Sequence, residues 1–223
     1  MITLIDLDWT LLRGGNKAHA DSFAWALRTV YGVEASLKEV DTEGLTDSEI
    51  LMSILTRHGM APERTRALIQ DATNAMAEYF MKHEDEGIYI PLTGSLECLM
   101  WLRGQSIPAG LLTGNVEGIA WRKCERAGIR HLLRFGAFGN EAFRRSDLIP
   151  IAKQRAVEQG YSADKVLVIG DSPRDVLCAK ENGIQSIGVA SGKHSVTELQ
   201  TAGADITIGT LLDFAHAFQV LSR

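Results

Sequence analysis

Short apolar runs alternate with longer amphipathic segments through the second half of the chain. Four apolar runs have the length of buried strands: Ala109–Thr113, Val166–Ile169, Ser186–Val189 and a short run at Ile206–Ile208. Four segments between and after them repeat apolar residues at helical spacing: Gly118–Ala127, Leu148–Gln159, Pro173–Asn182 and Leu211–Leu221. This alternation predicts an α/β fold, with a Rossmann-like core in which a doubly wound parallel sheet carries helices on both faces.

The stretch from about His19 to Ile88 interrupts this alternation, because it contains no strand-like run. Three segments in it have helical periodicity instead: His19–Tyr31, Asp47–His58 and Pro62–His83. One further strand, Met1–Asp6, precedes the stretch. The pattern therefore predicts a catalytic core formed by residues 1–12 and 89–223, into which an all-helical cap of residues 13–88 is inserted.

Composition excludes several classes of protein. The 223 residues are 45% hydrophobic and carry a net charge of −5, so a disordered chain and a dedicated nucleic-acid binder are both disfavoured. No apolar run approaches the roughly 20 residues that span a bilayer. The three cysteines are widely spaced and suggest no disulfide framework. We expect a cytoplasmic protein, monomeric or homodimeric, that binds neither membranes nor nucleic acid.

Polar clusters follow three of the predicted strands, at Asp6–Thr10, Thr113–Asn115 and Gly170–Asp175. In open α/β sheets, ligands bind at the carboxyl ends of the strands, so the clusters should meet at one edge. Four carboxylates lie in these clusters: Asp6, Asp8, Asp171 and Asp175. Because they would repel one another, a hard divalent cation such as Mg²⁺ is predicted to bind among them.

The same clusters suggest a division of chemical roles. Asp6 could attack phosphorus as a nucleophile, while Asp8 serves as general acid and then as general base. Thr113 and the backbone amides of Gly114 and Asn115 could hold the phosphoryl oxygens.

Each cluster also has a purely structural interpretation. Thr113-Gly114-Asn115 could be an ordinary turn in which glycine supplies an unusual dihedral angle. Gly170-Asp171-Ser172-Pro173 could be a helix start, with Asp or Ser as the N-cap and Pro in the first turn. The occurrence of all three clusters in order, each directly after an apolar strand, favours the catalytic interpretation.

These residues resemble the motifs of the haloacid dehalogenase-like hydrolase superfamily, in particular its phosphoglycolate phosphatase-like branch with a helical cap. The first motif, hhhhDxDxT, matches the segment that ends Asp6-Leu7-Asp8-Trp9-Thr10, the second matches Thr113, and the fourth, hhhhGDxxxD, matches Val166–Asp175. The resemblance implies a phosphatase that forms an aspartyl-phosphate on Asp6 and uses Asp8 as acid and base. It also implies a Mg²⁺ site made of Asp6, the backbone carbonyl of Asp8, Asp171 and, in support, Asp175.

The chain departs from the superfamily pattern at two places. Trp9 stands where most relatives have glycine, and its indole could narrow the entrance to the site or simply face the hinge. The third motif, a lysine commonly followed by proline, is missing. Lys123, on the helix after Asn115, is our preferred replacement as the catalytic cation; Arg145 or Arg144 lies nearer the usual place, although a guanidinium is not a simple substitute for an ammonium.

The leading hypothesis is hydrolysis of a small phosphorylated metabolite, such as phosphoglycolate or a sugar phosphate. A phosphomutase similar to β-phosphoglucomutase would need the same core residues, and a non-catalytic binding module is a third, weaker alternative. In the cap, Thr46-Asp47 resembles a substrate-facing loop of this branch and could equally be the N-cap of the following helix.

Overall fold

Six strands pair side by side in one parallel sheet in a computed structural model that describes residues 1–14, 16–84 and 87–221. The strands are β1 (Ile2–Ile5), β2 (Ala109–Leu112), β3 (Phe135–Ala137), β4 (Val166–Gly170), β5 (Gln185–Val189) and β6 (Ile206–Ile208). Their order across the sheet is β3-β2-β1-β4-β5-β6. The first strand therefore lies at the centre, where Ile5 is in register with Leu111 of β2 and Ile169 of β4. This arrangement confirms the predicted α/β fold.

The helices of the described chain divide between the sheet and the cap. In the cap lie α1 (Lys17–Ala26), a π-helical turn (Leu27–Tyr31), α2 (Asp47–Arg57) and α3 (Pro62–His83). Around the sheet lie α4 (Ser95–Gly104), α5 (Glu117–Arg126), α6 (Leu148–Glu158), α7 (Pro173–Glu181), α8 (Val196–Ala202) and α9 (Phe214–Leu221).

Two buried clusters cover the two faces of the sheet, because successive strand residues point to opposite sides. Ile5 joins a cluster with residues of α4, α5 and α9, whereas Leu4 joins a cluster with residues of α6 and α7. A third cluster is formed mainly by the cap helices. The doubly wound arrangement thus follows from the apolar character of both faces of the central strands.

Sequence periodicity predicted most of these elements but gave no bounds for α4 and missed β3 and α8. The strand β3 has only three residues with Gly136 at its centre, and glycine is depleted in strands. Several predicted bounds are corrected, including that of the last helix, whose α-helical part begins at Phe214 rather than Leu211. The predicted helix at His19–Tyr31 begins at Lys17, and its α-helical part ends at Ala26 before the π-helical turn. Thr113 lies just beyond β2 rather than inside it.

Two linker segments join the cap to the core and run side by side. Leu92 donates its backbone N–H to Leu11 O at 3.0 Å, and Arg13 donates to Ile90 O at 2.9 Å. These contacts lie close to the predicted boundaries at residues 12 and 89, although the division into two domains stays a prediction. Among the described residues, no helix combines the length and the apolar character needed to cross a membrane.

Candidate active site

A cavity of about 270 Å³ lies between the cap and the carboxyl edge of the sheet. The core side of its lining includes the predicted residues Asp6, Asp8, Gly114, Asn115, Lys123, Asp171 and Asp175, together with Arg145. The cap side includes His19, Phe23, Glu43, Leu45 and Asp47. The polar clusters that follow three separate strands therefore meet at one site, as the sequence predicts.

Three aspartates form an acidic cluster at the centre of this edge. One ligand atom from each of Asp6, Asp171 and Asp175 lies within 4.8 Å of the others, and all three residues are buried. Burial raises the pKa of Asp6 well above its usual value, and the charges of the other two carboxylates add to the shift. Burial and the neighbouring Asp175 also raise the pKa of Asp171 to about 7. Arg145 opposes the shift of Asp6 but does not outweigh burial and the two neighbouring carboxylates.

The donor set of this cluster fits a divalent cation. It consists of carboxylate oxygens, which Mg²⁺ prefers, and the buried Asp175 Oδ1 makes no hydrogen bond within the described chain. The carboxylate of Asp8, the fourth predicted member, is not part of the cluster; the predicted contribution of Asp8 was its backbone carbonyl. The identity of the metal and its ligands remain predictions.

The start of α7 fixes the orientation of Asp175. Ser172 is the N-cap residue and Pro173 occupies the first turn, as the structural interpretation of this motif predicted. Ser172 donates its hydroxyl to Asp175 Oδ2 at 2.7 Å, and the Ser172 N–H contacts the same oxygen at 3.2 Å. The other oxygen, Oδ1, is therefore turned toward the acidic cluster. Asp175 therefore takes part both in the capping of α7, as the partner of Ser172, and in the acidic cluster.

Arg145 is the cation beside the predicted nucleophile. Its Nη2 lies 2.5 Å from Asp6 Oδ1 and 2.6 Å from Asp175 Oδ1, and it donates to Leu112 O at 2.9 Å. The contact with Asp175 is an ion pair without hydrogen-bond alignment. Arg144 instead points outward and pairs with Glu181 at 3.0 Å. Of the two arginines considered for the third motif, only Arg145 lies in the site.

Lys123 contacts the predicted acid and base rather than the predicted nucleophile. Its Nζ lies 2.7 Å from Asp8 Oδ2 and donates to Asn115 Oδ1 at 2.6 Å. Asn115 Nδ2 in turn donates to Asp8 Oδ2 at 2.9 Å and to Thr113 Oγ1 at 2.8 Å. Burial opposes ionisation of Asp8, but Lys123 and the smaller contributions of its other neighbours together lower the pKa of Asp8 below its usual value. Lys123 and Arg145 therefore occupy different positions in the same cavity.

His19 connects this network to the cap, and the sequence analysis did not single it out. Lys123 Nζ lies 3.3 Å from His19 Nδ1, and His19 Nε2 lies 2.9 Å from Asp47 Oδ2. Because an ammonium can only donate, Nδ1 accepts and the proton is on Nε2, which donates to Asp47. No local motif could reveal this contact, since His19 and Lys123 are 104 positions apart.

The loop before α2 docks on the core. The N-cap interpretation of Thr46 is confirmed, and Asp47 lines the cavity, while a contact of this loop with substrate stays a prediction. The Thr46 hydroxyl accepts from Glu49 N–H as the N-cap and donates to Phe143 O at 2.9 Å. Asp47 accepts from Val116 N–H at 2.8 Å and donates its own N–H to Gly114 O at 2.7 Å. The cap thus closes directly over the loop that was predicted to bind phosphate.

The sequence analysis suggested that Gly114 supplies an unusual dihedral angle in a turn, but the structure shows a different reason for a glycine at this position. It is absent from the glycines with positive φ. A Cβ at this position would overlap Leu45 O of the cap loop, so a side chain could not be accommodated. Close approach of the cap, rather than an unusual dihedral angle, accounts for this glycine.

Comparison with known proteins gives consistent results. The family model described as haloacid dehalogenase-like hydrolase matches residues 3–189. A phosphoglycolate phosphatase from Vibrio cholerae is 26% identical over 216 residues, which cover 93% of this chain and 93% of that protein.

Solved structures share the fold at lower identity. A predicted phosphatase from Clostridium acetobutylicum superposes with a TM-score of 0.70 at 20% identity, covering 100% of this chain and 98% of that one. A candidate β-phosphoglucomutase from Bacteroides vulgatus gives a TM-score of 0.66 at 19% identity, covering 99% and 88%. Both similarities concern the whole chain, including the cap.

Proposed function

The chain belongs to the haloacid dehalogenase-like hydrolase family and is a phosphatase. From this premise we propose that it hydrolyses a small phosphate monoester through an aspartyl-phosphate on Asp6, with Mg²⁺ as cofactor. The proposal rests on one observation: the carboxylates of Asp6 and Asp8, two positions apart, have different surroundings. Asp6 is buried in the acidic cluster beside Arg145, whereas Asp8 is paired with Lys123. Such a difference suits a nucleophile and an acid–base group in one site.

The chain's own residues would bind and orient the phosphoryl group. Thr113, whose hydroxyl accepts from Asn115, and the backbone amides of Gly114 and Asn115 follow β2 at the edge where the group would sit. Arg145 holds Asp6 by one oxygen and leaves the other for attack. A divalent cation, when bound among Asp6, Asp171 and Asp175, would neutralise part of their charge and that of the phosphate.

In the first step a carboxylate oxygen of Asp6 forms a bond to phosphorus while the bond from phosphorus to the leaving oxygen breaks. Asp8 in its acid form gives a proton to that oxygen, so that an alcohol leaves. In the second step Asp8, now a carboxylate, takes a proton from a water molecule. The water oxygen attacks phosphorus and releases Asp6 together with inorganic phosphate.

Lys123 supports the change of role of Asp8. The ion pair described above favours the carboxylate form of Asp8, which the second step needs. An incoming phosphate offers the ammonium an alternative anionic partner. When Lys123 donates to the phosphoryl oxygens, Asp8 loses its counter-charge and its pKa rises, as the first step requires.

The cap suggests a small leaving group. It docks on Gly114 and Val116 through Asp47, so only the limited cavity between cap and sheet remains for the substrate. Phosphoglycolate is the first candidate because of the similarity to phosphoglycolate phosphatases. A small sugar phosphate is the next. A phosphomutase is the second candidate function, favoured by a cap that shields the site and by the fold shared with the candidate β-phosphoglucomutase.

The test compares wild type with Asp6→Asn in the presence of Mg²⁺ or of a chelator. Phosphate release from phosphoglycolate and from a small sugar phosphate should require the metal and be abolished by Asp6→Asn. Asp164→Asn is the matched control, since Asp164 is exposed and precedes β4 at the opposite edge of the sheet. Turnover that survives in Asp6→Asn contradicts the mechanism. Isomerisation of a sugar phosphate without phosphate release identifies the mutase.

A further inference from the structure

Trp9 has a backbone conformation that is unusual for its residue type. Its φ is +67°, and Ser106 is the other non-glycine residue in the described chain with a positive φ. L-residues with side chains rarely adopt this conformation, whereas glycine adopts it freely. The turn after Asp8 imposes it here, because Trp9 N–H donates to Leu12 O at 2.7 Å and Ser191 donates its hydroxyl to Trp9 O at 2.6 Å. Glycine would satisfy the same turn without strain, so the backbone does not explain the indole.

The surroundings of Trp9 are fitted to its ring. Gly14, in the linker to the cap, lies against the indole so closely that a Cβ there would overlap Nε1 and Cδ1. On the other side, a Cβ at Gly192 would lie 3.2 Å from Trp9 Cβ and would overlap Asp171. Gly14 therefore makes room for the indole on the side of the linker, whereas Gly192, in the loop after β5, makes room mainly for Asp171.

Trp9 also lines the cavity that contains Asp6 and Asp8. The cavity, at about 270 Å³, is slightly below the usual 300–1,000 Å³ of ligand sites. A glycine at position 9 would leave the space of a whole indole open toward the linker. Trp9 is therefore part of the cavity wall on the side of the linker, and its backbone is held by hydrogen bonds to Leu12 and Ser191.

We propose that Trp9 is a specificity-determining residue, whose indole limits the leaving group to a few atoms and excludes aryl-sized groups. This inference rests on the proposed function for its reaction, but it concerns the shape of the cavity and can be measured by binding alone. The ring need not take part in the chemistry.

The experiment measures the affinities of inorganic phosphate and of phenylphosphonate by titration calorimetry in the presence of Mg²⁺. Wild type is compared with Trp9→Gly, which removes the ring and suits the backbone, and with Trp9→Phe, which keeps an aromatic wall. Ser106→Gly is the matched control, because it relieves the same type of strain at the amino end of β2, away from the cavity. Circular dichroism verifies folding, and Trp9→Ala replaces Trp9→Gly if that variant does not fold.

We expect Trp9→Gly to improve the affinity of phenylphosphonate relative to phosphate at least about tenfold, the scale of discrimination by apolar pocket walls. Trp9→Phe and Ser106→Gly should stay close to the wild-type ratio. If folded Trp9→Gly keeps the wild-type ratio of phenylphosphonate to phosphate affinity, the inference is overturned. This conclusion does not depend on which substrate the enzyme hydrolyses. A shifted ratio in a protein whose wild type hydrolyses neither phosphoglycolate nor a small sugar phosphate supports the inference and contradicts the proposed function. If wild type binds neither ligand, both are wrong.

Discussion

Lys123 Nζ lies 2.7 Å from Asp8 Oδ2, at the end of a lysine that is only 2% exposed. A lysine buried to this extent needs anionic or acceptor partners, and Asp8 and Asn115 supply them. The pairing gives Lys123 a role that depends on the protonation state of Asp8. It pairs with the proposed acid–base group, while Arg145 pairs with the proposed nucleophile.

Replacing Lys123 with methionine should move the acid limb of the pH–rate profile upward. Without the ammonium, burial dominates the surroundings of Asp8 and raises its pKa, so the carboxylate form that activates water is populated only at higher pH. We also expect kcat to fall about 100-fold, within the usual contribution of acid–base catalysis. Steady-state rates between pH 5 and 9 measure both effects.

The control for this prediction is Lys165→Met, which removes an exposed lysine just before β4. Its profile should coincide with that of wild type. A Lys123→Met enzyme whose acid limb stays in place would show that the ammonium does not set the pKa of Asp8.

Replacing Arg145 with methionine should destabilise the protein when no metal is present. The buried carboxylates of Asp6 and Asp175 would lose their shared counter-charge, and breaking such pairs costs about 3–5 kcal/mol. Arg145→Lys keeps the charge and should lose less. Chemical denaturation with and without Mg²⁺ measures the change, and the metal should recover part of it.

Arg144 provides the matched comparison because it is the adjacent arginine and pairs with Glu181 at the surface. Arg144→Met should change the free energy of unfolding by no more than about 0.5 kcal/mol. Equal losses in the two variants would mean that the ion pairs of Arg145 add nothing to stability.

The sequence could predict the polar clusters of the candidate site because each cluster is local. The polar residues directly after β1, β2 and β4 are recognisable from the apolar runs that precede them, and parallel strands bring their carboxyl ends together. The capping of α7 by Ser172 is local in the same sense.

Contacts between distant segments could not be predicted in this way. Arg145 and Asp6 are 139 positions apart in the sequence. The position of Lys123 on its helix does not indicate which carboxylate the lysine contacts, since Asp8 is 115 positions away. The sequence analysis preferred Lys123 to Arg145 because it looked for one cation to replace the missing third motif. The cavity contains both, Lys123 beside Asp8 and Arg145 beside Asp6. The conformation of Trp9 was also hidden, since it depends on how the turn is held by Ser191.

Binding of Mg²⁺ should release protons near neutral pH. The pKa of Asp171 is about 7 in the metal-free protein, so the carboxyl group is largely protonated at pH 6 and must ionise to bind a cation. Calorimetric titration at pH 6 in buffers of different ionisation enthalpy counts the protons. The release should be smaller at pH 8 and smaller in Asp171→Asn, and proton uptake at either pH would contradict the assignment.

The same shift predicts how the stability of the metal-free protein depends on pH. The folded pKa of Asp171, about 7, lies above the unfolded value, so the folded state binds more protons than the unfolded one between the two. Its stabilising effect is complete below the unfolded pKa and is lost as the pH rises through about 7. Asp6, whose pKa is also raised, acts in the same direction.

We therefore expect the Tm of the metal-free protein to fall between pH 5 and pH 8 and Mg²⁺ to protect more strongly at pH 8. Asp171→Asn should flatten the metal-free curve because it removes the titrating group. A Tm that rises over this range and is unchanged by Asp171→Asn would show that this aspartate ionises normally in the folded protein.

The Glu43–His194 contact should hold the cap closed. Glu43 belongs to the cap loop and His194 follows β5, and their side chains meet at 2.5 Å across the rim of the cavity. Both are partly exposed, at 29% and 19%, so the pair is worth at most about 1 kcal/mol. Glu43→Gln should therefore raise KM by up to about fivefold through an opened cap, with little effect on kcat.

His58→Gln provides the control, because His58 and Glu39 form a similar pair at 2.8 Å that lies entirely within the cap. Removing it should leave KM unchanged, since no contact between cap and core is lost. If the pair across the rim is a closing contact, His194→Gln must reproduce the effect of Glu43→Gln, and the double variant must add nothing to it. Additive effects would instead mean that the two residues act on the substrate separately.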